Sequence, residues 1–286
     1  MKSNMTILIR CLDVSDLAEN SESFEKLYRQ LPEERRMKID RYRFFKDRRL
    51  SLGAGYLLQK SCKEYGIPDA DRRLTVNEYQ KPYFRDHPEI FFNLSHSGDR
   101  ILCVMAGQEI GCDIEKKQYS GKKRDVLNIA KRFFSEEEYR ILLSPTGQGN
   151  HDPAEQEENF LKYWTARESF LKCLGTGLAF PLSDFTIRFS EEPADNGATE
   201  VGRVFLNHDK IGSSDPESQI KEKNNDFSKY RILQLQIGNE YCAAVCLEKK
   251  TGNIRTDTKI IRISGEEFYE QKKSMDRAVT TVRYQK

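Results

Sequence analysis

The stretch FFNLSHSGDRILCVMAGQEIGCDIE, residues 91–115, sets three short extended runs between tight turns. Phe91–Leu94 reads as a strand, Ser95–Asp99 as a turn and Arg100–Ala106 as a second strand. Gly107-Gln108 is a tight connection into a third run, Glu109–Glu115. In that third run the apolar residues are Ile110, Cys112 and Ile114, so period-two geometry places Asp113 and Glu115 together on the opposite face. Two carboxylates about 7 Å apart at Cα repel each other unless solvent or a cation intervenes. Hard oxygen ligands of this kind suit Mg²⁺, which takes one or two protein carboxylates plus substrate phosphates. A solvated sheet face with two ordinary acids fits the same alternation, so both readings stand at this point.

Outward from this stretch, Thr6–Arg10 reads as a strand. Leu31-Pro32-Glu33-Glu34 opens a helical stretch through about Tyr65, stopped by Gly66-Ile67-Pro68. Residues 26–49 hold ten Lys/Arg against four acids, a basic arm that is either a solvated helix face or a phosphate contact. Helices are expected at about Arg124–Phe134 and Ser135–Leu143, the second with Ser135 as N-cap and Glu138 at the capping-box position. Ser144–Glu155 is a polar loop, and Gln156–Leu174 is a helix ended by Gly175-Thr176-Gly177. Asp184–Phe189 reads as a strand. Residues 190–228 are polar, in part loose, and strand-like only near Val201–Leu206. Tyr230–Ile237 and Tyr241–Leu247 make a hairpin about Gly238-Asn239, and the basic tail beyond Glu248 holds one strand-like run, Lys259–Ile263.

Composition narrows the classes of function. The 286 residues carry 47 Lys+Arg and 45 Asp+Glu, a net charge of +2, which excludes bulk attraction to nucleic acid or anionic lipid as the organising idea. No window approaches the ~18–20 apolar residues of a membrane helix, and MKSNMTILIRCLDVSD lacks the pattern of a secretory leader. Seven cysteines at scattered spacings fit buried, reduced thiols in a cytoplasmic protein better than a disulfide framework or a zinc ribbon.

Two further constellations carry chemistry. Trp164, Glu168 and Lys172 fall at i, i+4 and i+8 on one helix face, while Phe160, Leu161, Phe170, Leu171 and Leu174 supply the packing face. Glu168 and Lys172 are then either a surface ion pair or two groups facing a site. Asn93-Leu94-Ser95-His96-Ser97-Gly98 is rich in donors and can cradle a phosphate, or His96 can be a structural turn residue. A Ser–His nucleophilic pair is disfavoured, because adjacent residues cannot easily make the nucleophile–base hydrogen bond. His87, His151 and His208 stand alone in polar segments.

Together Tyr79-Gln80-Lys81-Pro82, the FNLSHSGDR stretch from Phe92, Ile110–Glu115 and Trp164–Lys172 resemble the 4′-phosphopantetheinyl transferases, in particular the larger monomeric type that activates surfactin-like peptide synthetases. Residues 129–135 and 175–178 fit as well, so the resemblance covers about residues 5–250. It implies an α+β fold of two similar halves related by a pseudo-twofold: an N-terminal half (1–107), a C-terminal half (108–250) and an extension (251–286). It also implies Mg²⁺-dependent transfer of the 4′-phosphopantetheine arm of coenzyme A to a serine of an apo carrier protein, releasing adenosine 3′,5′-bisphosphate.

By the same resemblance Asp113, Glu115 and Glu168 are the metal ligands, Glu168 is also the candidate base, and Lys172 contacts the β-phosphate. Gln80, Lys81 and Pro82 hold the adenine, Asn93, Ser95 and His96 lie at the phosphates, and Lys46 or Arg49 clamps the 3′-phosphate. Glu138 matches a further acid of open role. Glu34 and Met37 stand where the family often has lysines, and Arg167 where it often has lysine. Carrier contacts are expected on the 118–143 helices and after Gly177. A cytoplasmic monomer acting on neither nucleic acid nor membrane is expected, with Mn²⁺ an acceptable substitute for Mg²⁺. The rival readings are a coenzyme A binder without transfer, another Mg²⁺-dependent phosphoryl enzyme, and a nucleic-acid-binding module using the basic arm.

Overall fold

The computed structural model describes residues 5–69, 72–117, 125–143, 153–177, 180–189, 201–206, 227–248, 254–264 and 267–271. Of the expected loop Ser144–Glu155, residues 153–155 are already helix and residues 144–152 lie outside the described residues, as do most of the polar region 190–228 and the end of the tail. The chain is α+β. Its first sheet runs in the order β12 (Glu267–Gln271), β11 (Ile254–Ser264), β1 (Met5–Asp13), β5 (Arg100–Ala106), β4 (Phe91–Ser97). Its second runs β6 (Ile110–Lys116), β10 (Tyr241–Glu248), β9 (Tyr230–Leu235), β8 (Val201–Leu206), β7 (Phe185–Phe189). A small hairpin pairs β2 (Leu74–Val76) with β3 (Pro82–Phe84).

Strand alternation sorts the core into layers. In β5, Leu102, Val104 and Ala106 join Ile7 and Ile9 of β1 in a cluster with Ile110, Cys112 and Ile114 of β6 and Ala243, Val245 and Leu247 of β10. The two sheets therefore meet face to face through a dry layer. On the other side of the first sheet, Ile101 and Cys103 pack with residues of α1 (Glu22–Arg29), α2 (Glu33–Asp40) and α3 (Phe45–Tyr65). On the far side of the second sheet, Cys242, Ala244 and Cys246 pack beneath α4 (Val126–Phe133), α5 (Glu136–Leu143) and α6 (Pro153–Leu174).

Three sequence expectations are corrected. Ser95 and His96 do not sit in a turn: β4 continues to Ser97, paired with Arg100, and the reversal is Gly98-Asp99 alone. Gly98 has φ +59°, the conformation demanded at the first central position of such a two-residue hairpin turn. The helical stretch from residue 31 to 65 breaks at 41–44. α2 folds back so that the Arg35 guanidinium donates to Ser51 O at 2.8 Å, where one straight helix would hold these residues about 24 Å apart. Folding back lets Leu31 and Ile39 share the cluster of Leu50, Leu52 and Leu57. Helix α1 was not anticipated from sequence, because Phe24 and Leu27 are its only buried positions, although Ser21 caps it by accepting from Phe24 N.

The tail run read at Lys259–Ile263 is the centre of β11, which pairs in parallel with β1 from Met5↔Ile254 to Asp13↔Arg262. Arg10, 1% exposed, donates to Asp257 Oδ2 at 2.8 Å and to Asp257 O at 2.7 Å, tying the two strands.

All seven cysteines are buried and unbridged, in keeping with the expected reduced thiols. Burial pushes the thiols of Cys11, Cys62 and Cys103 up to about 12 and that of Cys242 up to about 11. A raised thiol pKa keeps the unreactive protonated form over the whole neutral range. The folded protein is therefore expected to resist aromatic disulfide reagents at about pH 8 and to react at all seven positions once unfolded. A fast native-state reaction at any of them, followed by absorbance, contradicts this packing.

Candidate active site

Strand β6 presents its two faces as the alternation requires: Ile110, Cys112 and Ile114 enter the layer between the sheets. Asp113 and Glu115 line a cavity of about 400 Å³ together with Leu94, Ser95, His96, Trp164, Glu168 and Lys172. Asp113 is not an exposed acid: it is 5% exposed. Its Oδ1 accepts from Ser95 Oγ at 2.7 Å and from Lys172 Nζ at 2.7 Å. The ammonium also reaches Ser95 Oγ at 3.2 Å.

The other oxygen, Asp113 Oδ2, is buried without a hydrogen-bond partner. A buried carboxylate is costly unless its lone pairs are satisfied. Half of this group is compensated, and the other half is a donor suited to a hard cation. Among the described residues no three His, Cys, Asp or Glu side chains are gathered into a ready-made cage. Carboxylates that line one cavity without closing on each other fit an ion that keeps water and substrate oxygens in its shell.

Helix α6 carries the rest of the site, and a glycine lets it come close enough. A Cβ on Gly111 would meet Ser169 O at 2.2 Å and Cys173 N at 2.3 Å. The helix backbone thus rests on the β6 backbone between the turns that bear Glu168 and Lys172. Burial, then the negative charges of Asp113 and Glu115, raise the pKa of Glu168 against the opposing effect of Lys172. For Lys172 burial works against the charge, but its acidic neighbours, Asp113 first with Glu168 adding, together outweigh it and hold the pKa above the ordinary value. Partial burial and the Lys172 ammonium lower the pKa of His96, so its imidazole is neutral at neutral pH even though the residue remains exposed.

The ion pair of Lys172 is with Asp113, across the cavity, rather than with Glu168 on its own helix. The sequence could not choose between these two partners.

The remaining sequence candidates sit around the cavity rather than in its lining. Lys46 is exposed on the first turn of α3. The Arg49 guanidinium donates to Asp99 Oδ1 and, at 3.0 Å, to Ser15 O. Gln80 has φ +65° in the turn between β2 and β3, and Pro82 opens β3. Lys81 Nζ donates to Glu109 Oε2 at 2.7 Å and to Cys173 O at 2.9 Å, capping the end of α6. Asn93 Oδ1 accepts from Cys112 N at 3.0 Å.

A family model described as the 4′-phosphopantetheinyl transferase superfamily matches residues 109–246. A second, 4′-phosphopantetheinyl transferase, N-terminal, matches residues 18–110. The chain is 36% identical over 174 residues to 4′-phosphopantetheinyl transferase Sfp of Bacillus subtilis (strain 168), covering 60% of this chain and 73% of that one. It is 37% identical over 161 residues to 4′-phosphopantetheinyl transferase psf-1 of Bacillus pumilus, covering 56% and 64%. The L-aminoadipate-semialdehyde dehydrogenase-phosphopantetheinyl transferase of Rattus norvegicus is 24% identical over 234 residues, covering 79% of this chain and 69% of its own length. The chain belongs to the 4′-phosphopantetheinyl transferase superfamily. It is a transferase.

In this transferase Glu138, the acid of open role, is fully buried and lies outside the cavity lining. It forms the anticipated capping box, accepting from Ser135 N at 2.9 Å while Ser135 Oγ accepts from Glu138 N at 3.3 Å. It also accepts from Ile187 N at 2.8 Å and pairs with Arg167, which lies over the ring of Phe185 at 4.2 Å. A fork of donors this enclosed is a guanidinium's geometry, which accounts for Arg167 in place of lysine.

Two residues of the site escaped sequence reading. Ser97 was legible only as one donor of a segment read as a turn, not as a strand residue bonded to Glu115, and Gly111 only by its presence between apolar neighbours. Gly111→Ala forces α6 outward. It is expected to cost about 1–3 kcal/mol of stability by overpacking and to lower transferase activity about 100-fold by misplacing Glu168 and Lys172. Gly107→Ala, whose Cβ would lie 3.7 Å from Tyr65 Oη, is the control. Equal activity of the two variants, assayed side by side with their unfolding midpoints, rules out the positioning role.

Proposed function

We propose that the cavity binds the diphosphate of coenzyme A and that the chain transfers its 4′-phosphopantetheine arm to a serine of an apo acyl or peptidyl carrier protein. The observation that carries this reading is Asp113, with one oxygen held by Ser95 and Lys172 and the other bare, in a cavity that Glu115 and Glu168 also line. Asp113, Glu115 and Glu168 are the residues that would hold Mg²⁺, or Mn²⁺ with the same oxygen donors. When bound, the ion supplies charge neutralisation at the diphosphate.

The chain's own groups do the remainder. Lys172 stands beside Asp113 to donate to the β-phosphate, and Ser95, assigned to the same phosphates, does so by turning its one hydroxyl hydrogen from Asp113. His96, neutral in the free protein, donates one ring N–H to an anion and gains a proton more readily beside it. Glu168, with its raised pKa, accepts the proton of the carrier serine hydroxyl as that oxygen attacks the β-phosphorus. The bond to the nucleotide's phosphate breaks, and adenosine 3′,5′-bisphosphate leaves. Positioning and electrostatics dominate such a reaction.

The adenine is assigned to Gln80, Lys81 and Pro82, chiefly to their backbone, since the Lys81 ammonium is engaged with Glu109 and Cys173. Because Arg49 is tied to Asp99 and Ser15, Lys46 is the better clamp for the 3′-phosphate. Asn93 acts by holding β6. The two helix-backed sheets support reading residues 1–107 and 108–250 as similar halves about a pseudo-twofold, with the ligand between them. The carrier is assigned to the helices within 118–143 and to the region after Gly177. A cytoplasmic monomer that touches neither nucleic acid nor membrane completes the proposal; the near-neutral charge argues against bulk attraction to polyanions.

The test is intact mass spectrometry of apo carrier proteins incubated with the chain, coenzyme A and Mg²⁺, with and without chelator. A gain of one phosphopantetheine per carrier that chelator abolishes is the expected result. Coenzyme A binding without any gain in mass would assign the chain to binders that do not transfer. Asp113→Ala is expected to abolish the gain. Lys172→Ala should lower the rate by far more than the few tenths of a kcal/mol of a surface ion pair; a loss of stability alone would make Lys172 structural.

A further inference from the structure

The polar face of β4 offers Asn93, Ser95 and Ser97 to the second sheet, and the last of these matches no part of the site assigned above. Ser97 Oγ donates to Glu115 Oε2 at 3.0 Å and accepts from Lys116 N at 3.1 Å. We propose that Ser97 is a positioning residue that sets the rotamer of Glu115 for divalent-cation binding. This rests on the reading of Glu115 as one of the cation's carboxylates.

The geometry is directional. A serine hydroxyl has one hydrogen and two lone pairs. With the Lys116 N–H committed to a lone pair, and β6 fixed through its ladder to β10, the hydrogen is left pointing at the carboxylate. Two residues earlier the same arrangement recurs, Ser95 Oγ donating to Asp113 Oδ1 at 2.7 Å. Each serine precedes its carboxylate by 18 residues, so the pairing advances in step along both strands.

The need for such a device differs between the two acids. Asp113 is short, buried and held by Lys172, whereas Glu115 is partly exposed and has one more torsion to fix. Ordering a free Glu side chain on ligation costs on the order of 1.5–2 kcal/mol of rotamer entropy. A hydrogen bond already in place in the folded protein removes part of that cost.

Ser97 is itself well placed. The following Gly98 packs against Lys116 and Tyr241 of the second sheet, and Asp99 N donates to Tyr241 Oη at 3.3 Å. Ser97 is not among the residues lining the cavity, so it acts through Glu115 rather than on a ligand. Its effect should therefore appear in metal affinity, not in binding of the organic substrate.

The experiment compares the full chain with Ser97→Ala and Ser97→Thr. Mn²⁺ affinity is measured by electron paramagnetic resonance of the free ion with coenzyme A present. Binding of coenzyme A without metal is followed by the fluorescence of Trp164, the sole tryptophan, which lines the cavity. Ser97→Ala should weaken Mn²⁺ about 10-fold and leave metal-free coenzyme A binding unchanged. Its transfer rate should return at saturating Mn²⁺, and Ser97→Thr should restore the affinity. Unchanged Mn²⁺ affinity in Ser97→Ala, or a parallel loss of metal-free coenzyme A binding that metal does not rescue, overturns the positioning role while leaving the proposed function standing. A wild-type chain that binds no Mn²⁺ overturns the reading of the cavity and this inference with it.

Discussion

Strand β6 stands at the edge of its sheet, paired with β10 on one side only. The outward N–H groups of an edge strand are costly if buried without partners. Here side chains replace the missing strand: Asn93 Oδ1 accepts from Cys112 N, and Ser97 Oγ accepts from Lys116 N. Ser95, between them, donates to Asp113. One row of polar side chains on β4 thus takes up two N–H groups of the edge, ties the two sheets in register and orients the carboxylates. The apolar layer behind it supplies the bulk of the burial but has no directionality of its own. The polar row specifies which residue faces which.

The second constraint acts on the face of the same strand that carries Asp113 and Glu115. Gly111 lets the α6 backbone approach β6 so closely that any Cβ would overlap helix backbone atoms. The contact is made by backbone atoms of Ser169, Lys172 and Cys173, so the distance of Glu168 and Lys172 from Asp113 is set by backbone against backbone as well as by their side chains. Lys81 holds the far end of α6 through Cys173 O, and the buried Glu138–Arg167 pair ties α5 to its middle. A site built this way is preorganised by its frame.

Much of this frame was legible in the sequence where the information is local. Alternation at Ile110, Cys112 and Ile114 put both acids on one face, the β9–β10 hairpin followed from Gly238-Asn239, and Ser135 with Glu138 announced a capping box that the structure contains. What failed was either sparse or distant. Helix α1 has two buried apolar residues, too few for a period. The break at 41–44 follows from Arg35 reaching Ser51, a tertiary demand that overrides a continuous helical pattern. The partner of β11 lies some 250 residues away at the other terminus. The role of Gly111 is set by atoms of another element, which no neighbouring residue records.

The choice Lys172 makes between two carboxylates organises the electrostatics of the cavity. Asp113 is nearly excluded from water and Glu168 only half-buried, and an opposite charge is worth more where screening is weaker. Lys172 therefore pairs with Asp113 and partly neutralises it. Glu168, not ion-paired to it, feels burial and the charges of Asp113 and Glu115, and its affinity for a proton rises. One cation thus leaves two unlike carboxylates: Asp113, ion-paired to Lys172, and Glu168, which is more basic, as proton acceptance from a hydroxyl requires. With His96 neutral, three carboxylates outweigh the one ammonium, so the cavity holds a bare diphosphate less tightly than one that brings a divalent cation. The proposed site should accept its anionic substrate together with a divalent cation, and the same negative charge that favours the cation adds to burial in raising the affinity of Glu168 for a proton.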